Sequence, residues 1–220
     1  DLHQDVHSFP TRRSSDLVVG SRNPTPQGAE NARGFSRSLA EAGWTVVSGL
    51  ALGVDTAAHE GALEGSAPPA PATIAVVGTG LDRAYPARNA PLARRIARRG
   101  RLVSEYPLGT PPLADNFPRR NRVIAGLSRG TLVVEAALRS GSLITARCAV
   151  EQGREVFAVP GSIHSPQARG CHRLIRQGAK LVETAQDVLE ELAPCLPASA
   201  PGGATTAPAA TVGTAMTTAT

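Results

Sequence analysis

Lysine is almost absent from this 220-residue chain: Lys180 is the single one, so nearly all of the 23 Lys+Arg are arginines. Against 18 Asp+Glu they leave a net charge of +5. The arginine fork suits phosphate oxygens and favours a polyanionic partner. A GC-rich genome gives the same bias, so composition permits nucleic acid without requiring it. Aromatics are scarce as well, with four Phe, two Tyr and one Trp. That argues against the extended base-stacking platform of an OB-fold or an RNA-recognition motif. The three cysteines, Cys148, Cys171 and Cys195, lack CxxC spacing and leave an odd count. Neither a disulfide framework nor a zinc ribbon is expected, and a reducing cytoplasm fits. No apolar run approaches the roughly 18 residues that span a bilayer, and no signal peptide is recognisable. The expectation is a soluble cytoplasmic protein with no membrane partner.

The two ends lack the character of a folded core. Residues 1–17, ending in SFPTRRSSDL, are polar and without periodicity. They read as a foreign, adapter-like segment, so that the first strand would be truncated or rebuilt by them. From Pro194 to Thr220 the chain is almost wholly Ala, Thr, Pro and Gly, which predicts a disordered tail. Residues 18–193 remain as the core.

Within it, short β-branched runs alternate with helical patterns. Strands are predicted at Leu17–Gly20, Thr45–Ser48, Thr73–Gly78, Arg101–Ser104, Gly130–Val134, Glu155–Ala158 and Lys180–Val182. Helices are predicted at Thr25–Ala42, Val54–Leu63, Ala90–Arg99, Pro118–Ala125, Leu143–Gln152, Cys171–Gln177 and Ala185–Leu192. Strands apolar throughout are covered on both faces, and β-α-β alternation implies parallel pairing. The expected fold is α/β, a Rossmann-like doubly wound and mostly parallel sheet with helices on both faces. Ligands of such sheets bind beyond the carboxyl ends of the strands. Glycine-bearing turns follow four of these strands, at Gly20-Ser21-Arg22, Gly49 to Gly53, Gly78-Thr79-Gly80 and Pro160-Gly161-Ser162.

Gly20, Ser21 and Arg22 offer a tight turn, backbone N–H groups and a guanidinium to one phosphate, although an ordinary βα turn would look the same. Gly49 and Gly53 flank a turn into a helix on which Asp55 and His59 share a face. Without a nucleophile that pair reads more readily as structural than catalytic, and no third ligand suggests a metal. Asn116 to Arg122, NFPRRNR, is the most specific segment. Pro118 at the first helical position would bring Arg119, Arg120 and Arg122 out within one turn of an N-terminus that favours anions, with Asn121 among them. Phe117 could stack a base there. Ser142 is placed to cap a helix, with Thr145 three residues on. The run Arg94, Arg95, Arg98, Arg99 and Arg101 reads as a solvated outer face.

In order along the chain, GSR, SGLALGVDTAAH, AVVGTGLDRAYP, SEYPLGTPPLADNFPRRNRVIAGLS, VVEAALRSGSLITARCA and GREVFAVPGSI resemble the DNA-processing protein family, Smf or DprA. The resemblance covers roughly residues 18–192. It implies a Rossmann-like core that binds single-stranded DNA, protects it and helps load the RecA recombinase during natural transformation, with no enzymatic activity and no cofactor. It places the DNA site at Gly20, Ser21, Arg22, Phe117, Arg119, Asn121 and Arg122, with Ser142 and Thr145 on the same rim. It also implies a homodimer, for which the late segment Gly170–Leu192 is the candidate interface.

Two other readings stay open on residues alone. A phosphoribohydrolase similar to the lysine-decarboxylase-like enzymes would use Glu135, after Gly130-Thr131, on a ribose, but it leaves NFPRRNR without a role. A dinucleotide-dependent oxidoreductase would need a G-x-G-x-x-G turn after the first strand, and none is present.

Overall fold

A computed structural model describes residues 15–69 and 71–192. The predicted tail, and residues 1–14 of the foreign-looking segment, lie outside the described residues. Among the described residues seven strands are present: β1 (Ser15–Val19), β2 (Thr45–Ser48), β3 (Thr73–Val76), β4 (Arg101–Val103), β5 (Gly130–Val133), β6 (Glu155–Ala158) and β7 (Lys180–Leu181). Between and after them come α1 (Pro26–Glu41), α2 (Val54–Gly65), α3 (Ala90–Arg99), α4 (Asn116–Leu127), α5 (Ser142–Glu151), α6 (Arg169–Arg176) and α7 (Ala185–Leu192). All seven strands form one sheet in the order β4-β3-β2-β1-β5-β6-β7, and every neighbouring pair is parallel. The α/β, doubly wound expectation holds.

Alternation along the strands divides the core between the two faces. Val18 points with Val46, Leu132 and Phe157 into a cluster closed by α1, α2 and α7. Its neighbours Leu17 and Val19 point the other way, with Val47, Val76 and Val133, against Ile124 of α4 and Ala146 and Ala149 of α5. A smaller cluster seats Leu92, Ala93 and Ile96 of α3 beside β3. Apolar surface on both faces is what makes these strands read as continuous β-branched runs.

Strand β1 begins at Ser15, two residues before the predicted first strand. Residues 15–17 therefore rebuild its start, pairing Asp16 with Val46 on one side and Gly130 on the other. Asp16 is fully buried; its Oδ1 accepts from its own neighbour's N–H, Leu17, at 2.9 Å, and its Oδ2 has no partner among the described residues. Burial pushes this carboxyl well above the usual range.

The chain winds outward from β1 to β4 and then returns across the sheet to β5, beside β1. That reversal opens a crevice between the carboxyl ends of β1 and β5, the topological switch point where ligands of open α/β sheets bind.

Candidate nucleic-acid interface

A cleft of about 540 Å³ occupies the switch point. From the loop after β1 it receives Gly20, Ser21, Arg22 and Asn23; from the loop after β5, Arg139, Ser140 and Gly141; from α5, Ser142, Ile144 and Thr145; from α4, Phe117, Arg120 and Asn121. Volumes of this order accommodate small ligands or a short stretch of polymer.

The first turn is shaped by α2. Val54 N–H donates to the Ser21 carbonyl at 3.0 Å, so the start of α2 sits directly beneath the turn. Gly53 makes that approach possible with φ +83°, and a Cβ there would collide with the Ser21 and Arg22 carbonyls. The Ser21 hydroxyl accepts from the Asn23 N–H at 3.1 Å and folds the loop back, leaving Arg22 exposed at the mouth. Gln167 donates to the Asn23 carbonyl at 3.0 Å, bracing the same loop from the far side.

Behind this turn a buried polar network holds the loop after β2. Asp55 accepts from the N–H groups of Gly49 and Ala51 at 3.1 and 3.3 Å. His59 Nε2 accepts from the Leu50 N–H at 3.3 Å, and Nδ1 lies 2.8 Å from the Thr73 hydroxyl. Since that hydroxyl donates to the Val46 carbonyl, the ring is neutral with its proton on Nδ1. Burial, helped by the Arg120 charge, lowers the His59 pKa to about 3. Asn89 donates to the Leu50 and Ala51 carbonyls at 2.9 and 3.2 Å. These bonds sustain Leu50 at φ +58°, a conformation that costs a non-glycine residue on the order of 1 kcal/mol or more. Asp55 thus bonds backbone N–H groups, His59 bonds a backbone N–H and the Thr73 hydroxyl, and the two do not bond each other.

Helix α4 departs from expectation. It begins at Asn116, so Pro118 is its third residue rather than its first. A proline is tolerated there because the first four N–H groups of a helix have no partner within it. The arginines consequently fall in the second turn, beyond the strongest influence of the N-terminus, and successive side chains point about 100° apart. Arg119 is exposed and outside the cleft lining. Arg120 turns inward, only 5% exposed, and donates to the carbonyls of Gly49, at 2.7 Å, and Val76. Its Nε has no partner among the described residues, and burial lowers its pKa while Asp55 opposes the shift. Arg120 in turn opposes the upward push of burial on Asp55. Arg122 forks onto Glu105 at 2.6 and 2.8 Å, away from the cleft. Asn116 donates to the Gly78 carbonyl at 3.0 Å. The expected trio of phosphate-facing arginines is therefore one exposed side chain, one clamp on the loops after β2 and β3, and one surface ion pair. Phe117 lines the cleft while its ring meets Tyr85, 5.4 Å between centroids.

Helix α5 is preceded by Gly141, and Ser142 is its first residue rather than its cap. The Ser142 hydroxyl lies 2.7 Å from that of Ser140. Ser142 and Thr145 are nearly buried and line the cleft floor. Gly49 and Gly53 support the cleft from behind without lining it. Arg139 was not singled out from sequence; its signal is that it stands alone in the loop after β5, the second strand of the switch point. Glu135, the acid required by the phosphoribohydrolase reading, is held at the start of α1. The Thr25 N–H and hydroxyl donate to its carboxylate at 2.9 and 2.6 Å. Among the described residues no three His, Cys, Asp or Glu are grouped to hold a metal ion, and no helix is long and apolar enough to cross a membrane.

Fold and cleft together define a parallel α/β protein with a cationic crevice at its switch point. The chain belongs to the family of DNA recombination-mediator protein A, whose family model matches residues 10–193. It is 53% identical over 193 residues to Protein Smf of Escherichia coli, covering 87% of this chain and 49% of that protein. The X-ray structure of DprA from Streptococcus pneumoniae superposes with a TM-score of 0.74 at 50% identity, over 81% of this chain and 62% of that one. A structure of DprA from Helicobacter pylori, described for its single-stranded DNA binding mode, gives 0.76 at 31% identity, over 84% and 83%. The chain spans about half the length of the Escherichia coli relative.

Proposed function

We propose that this chain binds single-stranded DNA in the switch-point cleft and acts as a non-enzymatic recombination mediator. The observation that carries the reading is the cleft itself: Arg22 and Arg139 reach it from the loops after β1 and β5, over a floor of small polar side chains. Guanidiniums at the mouth of such a crevice suit phosphates, and Phe117 at its wall offers a face to one base. The Helicobacter pylori relative, described as binding single-stranded DNA, supports the polymer over a mononucleotide. The engagement of Glu135 by Thr25 weighs against ribose chemistry at that carboxylate.

Protection of incoming DNA, loading of RecA in natural transformation and a cytoplasmic location complete the proposal. A homodimer would present two clefts to one strand and raise avidity without new contacts. The edge strand β7 and helix α6 are its proposed interface, since Leu181 is 51% exposed on an open sheet edge. Comparing single- with double-stranded oligonucleotides from low to moderate salt tests the binding. Tighter binding of the single strand, falling steeply with salt, is expected; a flat salt response or a preference for duplex would reject it.

A further inference from the structure

From position 83 to 104 the chain carries seven arginines and no Asp or Glu, seven positive charges against a net +5 for all 220 residues. A GC-rich genome exchanges lysine for arginine, but it does not remove the acids. Four of the seven sit on α3. Leu92, Ala93 and Ile96 hold this helix against the sheet, and its outer face presents Arg94, Arg95, Arg98 and Arg99, with Arg88 before it and Arg101 at the start of β4. All six are exposed, and none is ion-paired among the described residues, whereas Arg33, Arg37 and Arg122 on other helices each meet a glutamate. The macrodipole favours Arg98 and Arg99 in the last turn of α3, but not Arg94 and Arg95, each of which faces a like charge four residues on. Arg99 is steadied by the Ser66 carbonyl at 3.1 Å, and Arg98, Arg99 and Arg101 surround a depression of about 210 Å³.

We propose that this arginine face of α3 is a second polyanion site, which takes the phosphate backbone of double-stranded DNA. It flanks β4, the sheet edge opposite β7 and α6, and none of its arginines lines the cleft. Its chemistry selects the duplex. The large apolar side chains of α3, Leu92 and Ile96, are buried, so nothing aromatic or apolar stands out among the guanidiniums. A single strand would find no ring on which to stack a base, a membrane surface nothing to take up among its acyl chains, and a protein partner no apolar anchor. A duplex keeps its bases stacked inside and offers phosphates outside, so charge alone suffices. The contacts are backbone-directed and carry no sequence preference. Affinity in the micromolar range follows for such phosphate-only binding. The site stands apart from the proposed cleft and does not depend on it.

The test titrates the full chain with a labelled duplex of about 20 base pairs and with an oligothymidylate of about 5 nucleotides. Arg94→Gln/Arg95→Gln/Arg98→Gln removes three exposed charges and keeps good helix formers, and the corresponding triple Lys variant keeps the charges. The Gln variant should bind the duplex roughly ten-fold more weakly at low salt, with the slope of log affinity against log salt flattened by about 0.9 for each lost phosphate contact. The Lys variant should match the parent on the duplex, and both should bind the short oligomer as the parent does. A Gln variant with the parent's duplex affinity and slope, or a parent that does not bind duplex at low salt, would overturn the inference. So would polyglutamate that binds the parent more tightly than duplex of equal charge and is lost in the Gln variant, since the face would then belong to an acidic protein. A parent that binds the duplex but not the short oligomer, or an Arg22→Ala variant that binds that oligomer normally, would reject the cleft reading and leave the arginine face standing.

Discussion

Asp16 stands where the physics of the fold has no use for a carboxylate. It occupies a central strand, buried on the side of Phe157 and Leu192, with one oxygen unpartnered among the described residues. Asp16→Val keeps roughly the same volume and suits a strand covered on both faces. Removing the orphaned oxygen is worth about 1–3 kcal/mol. The buried methyls add about 1.5 kcal/mol or more, offset by strain of similar size if they overfill the site. A net gain of roughly 2 kcal/mol follows, or about 4–8 °C in Tm for a domain of this size. Because the folded pKa of Asp16 lies above its unfolded value, the folded state holds the proton longer. Stability from this site is intact below pH about 4 and is lost as pH rises toward the folded pKa. The advantage of the variant should therefore grow from about pH 4 to pH 8 in urea or thermal denaturation. A variant no more stable than the parent at pH 8, or an increment that stays constant with pH, would show that the buried Asp16 carboxylate does not limit stability.

Other perturbations separate building from binding. Arg120→Ala leaves Asp55 buried beside a lost cation and two carbonyls without their donor, so it should cost about 3 kcal/mol or more in denaturant. His59 is neutral in the fold with its pKa lowered to about 3, so the chain should lose stability as pH falls below about 6.5. Comparing His59→Gln with the parent should show a flatter acid limb, and an identical limb would place the acid sensitivity elsewhere. Glu135→Gln should cost about 1 kcal/mol through the start of α1 while leaving oligonucleotide affinity within two-fold, or about 0.4 kcal/mol. Strong loss of DNA binding in that variant would revive a role for the acid in the site. Arg122→Ala, which removes only the surface pair with Glu105, should change stability by less than about 1 kcal/mol.

Much of this architecture is legible in the chain because strands buried on both faces must be apolar, and helices α3 and α7 fall on their predicted bounds. The rim was legible for the same reason: a glycine turn after a buried strand lies at the carboxyl edge, which places Gly20, Ser21 and Arg22 correctly. Side-chain direction on α4 was not. Proline favours the first helical position, and reading Pro118 there shifted the helix by two residues and pointed Arg119, Arg120 and Arg122 together. Which of three neighbouring arginines turns inward depends on carbonyls supplied by Gly49 and Val76, tens of residues away. Arg139 escaped notice because its importance comes from strand order, β5 lying beside β1, which alternation alone does not reveal. Asp16 shows the opposite case, a residue whose polar surroundings in sequence disguised a place in the core.

In the proposed function a single strand of DNA lies in the cleft between the loops after β1 and β5. Fluorescence anisotropy of a labelled oligothymidylate, titrated with the parent chain and with Arg22→Ala and Arg139→Ala, decides whether it does. Each substitution should weaken binding at low salt and lower the salt slope by about 0.7, whereas Arg122→Ala should leave both unchanged. Equal affinity in the parent and in both cleft variants, or a larger loss in Arg122→Ala, would contradict it.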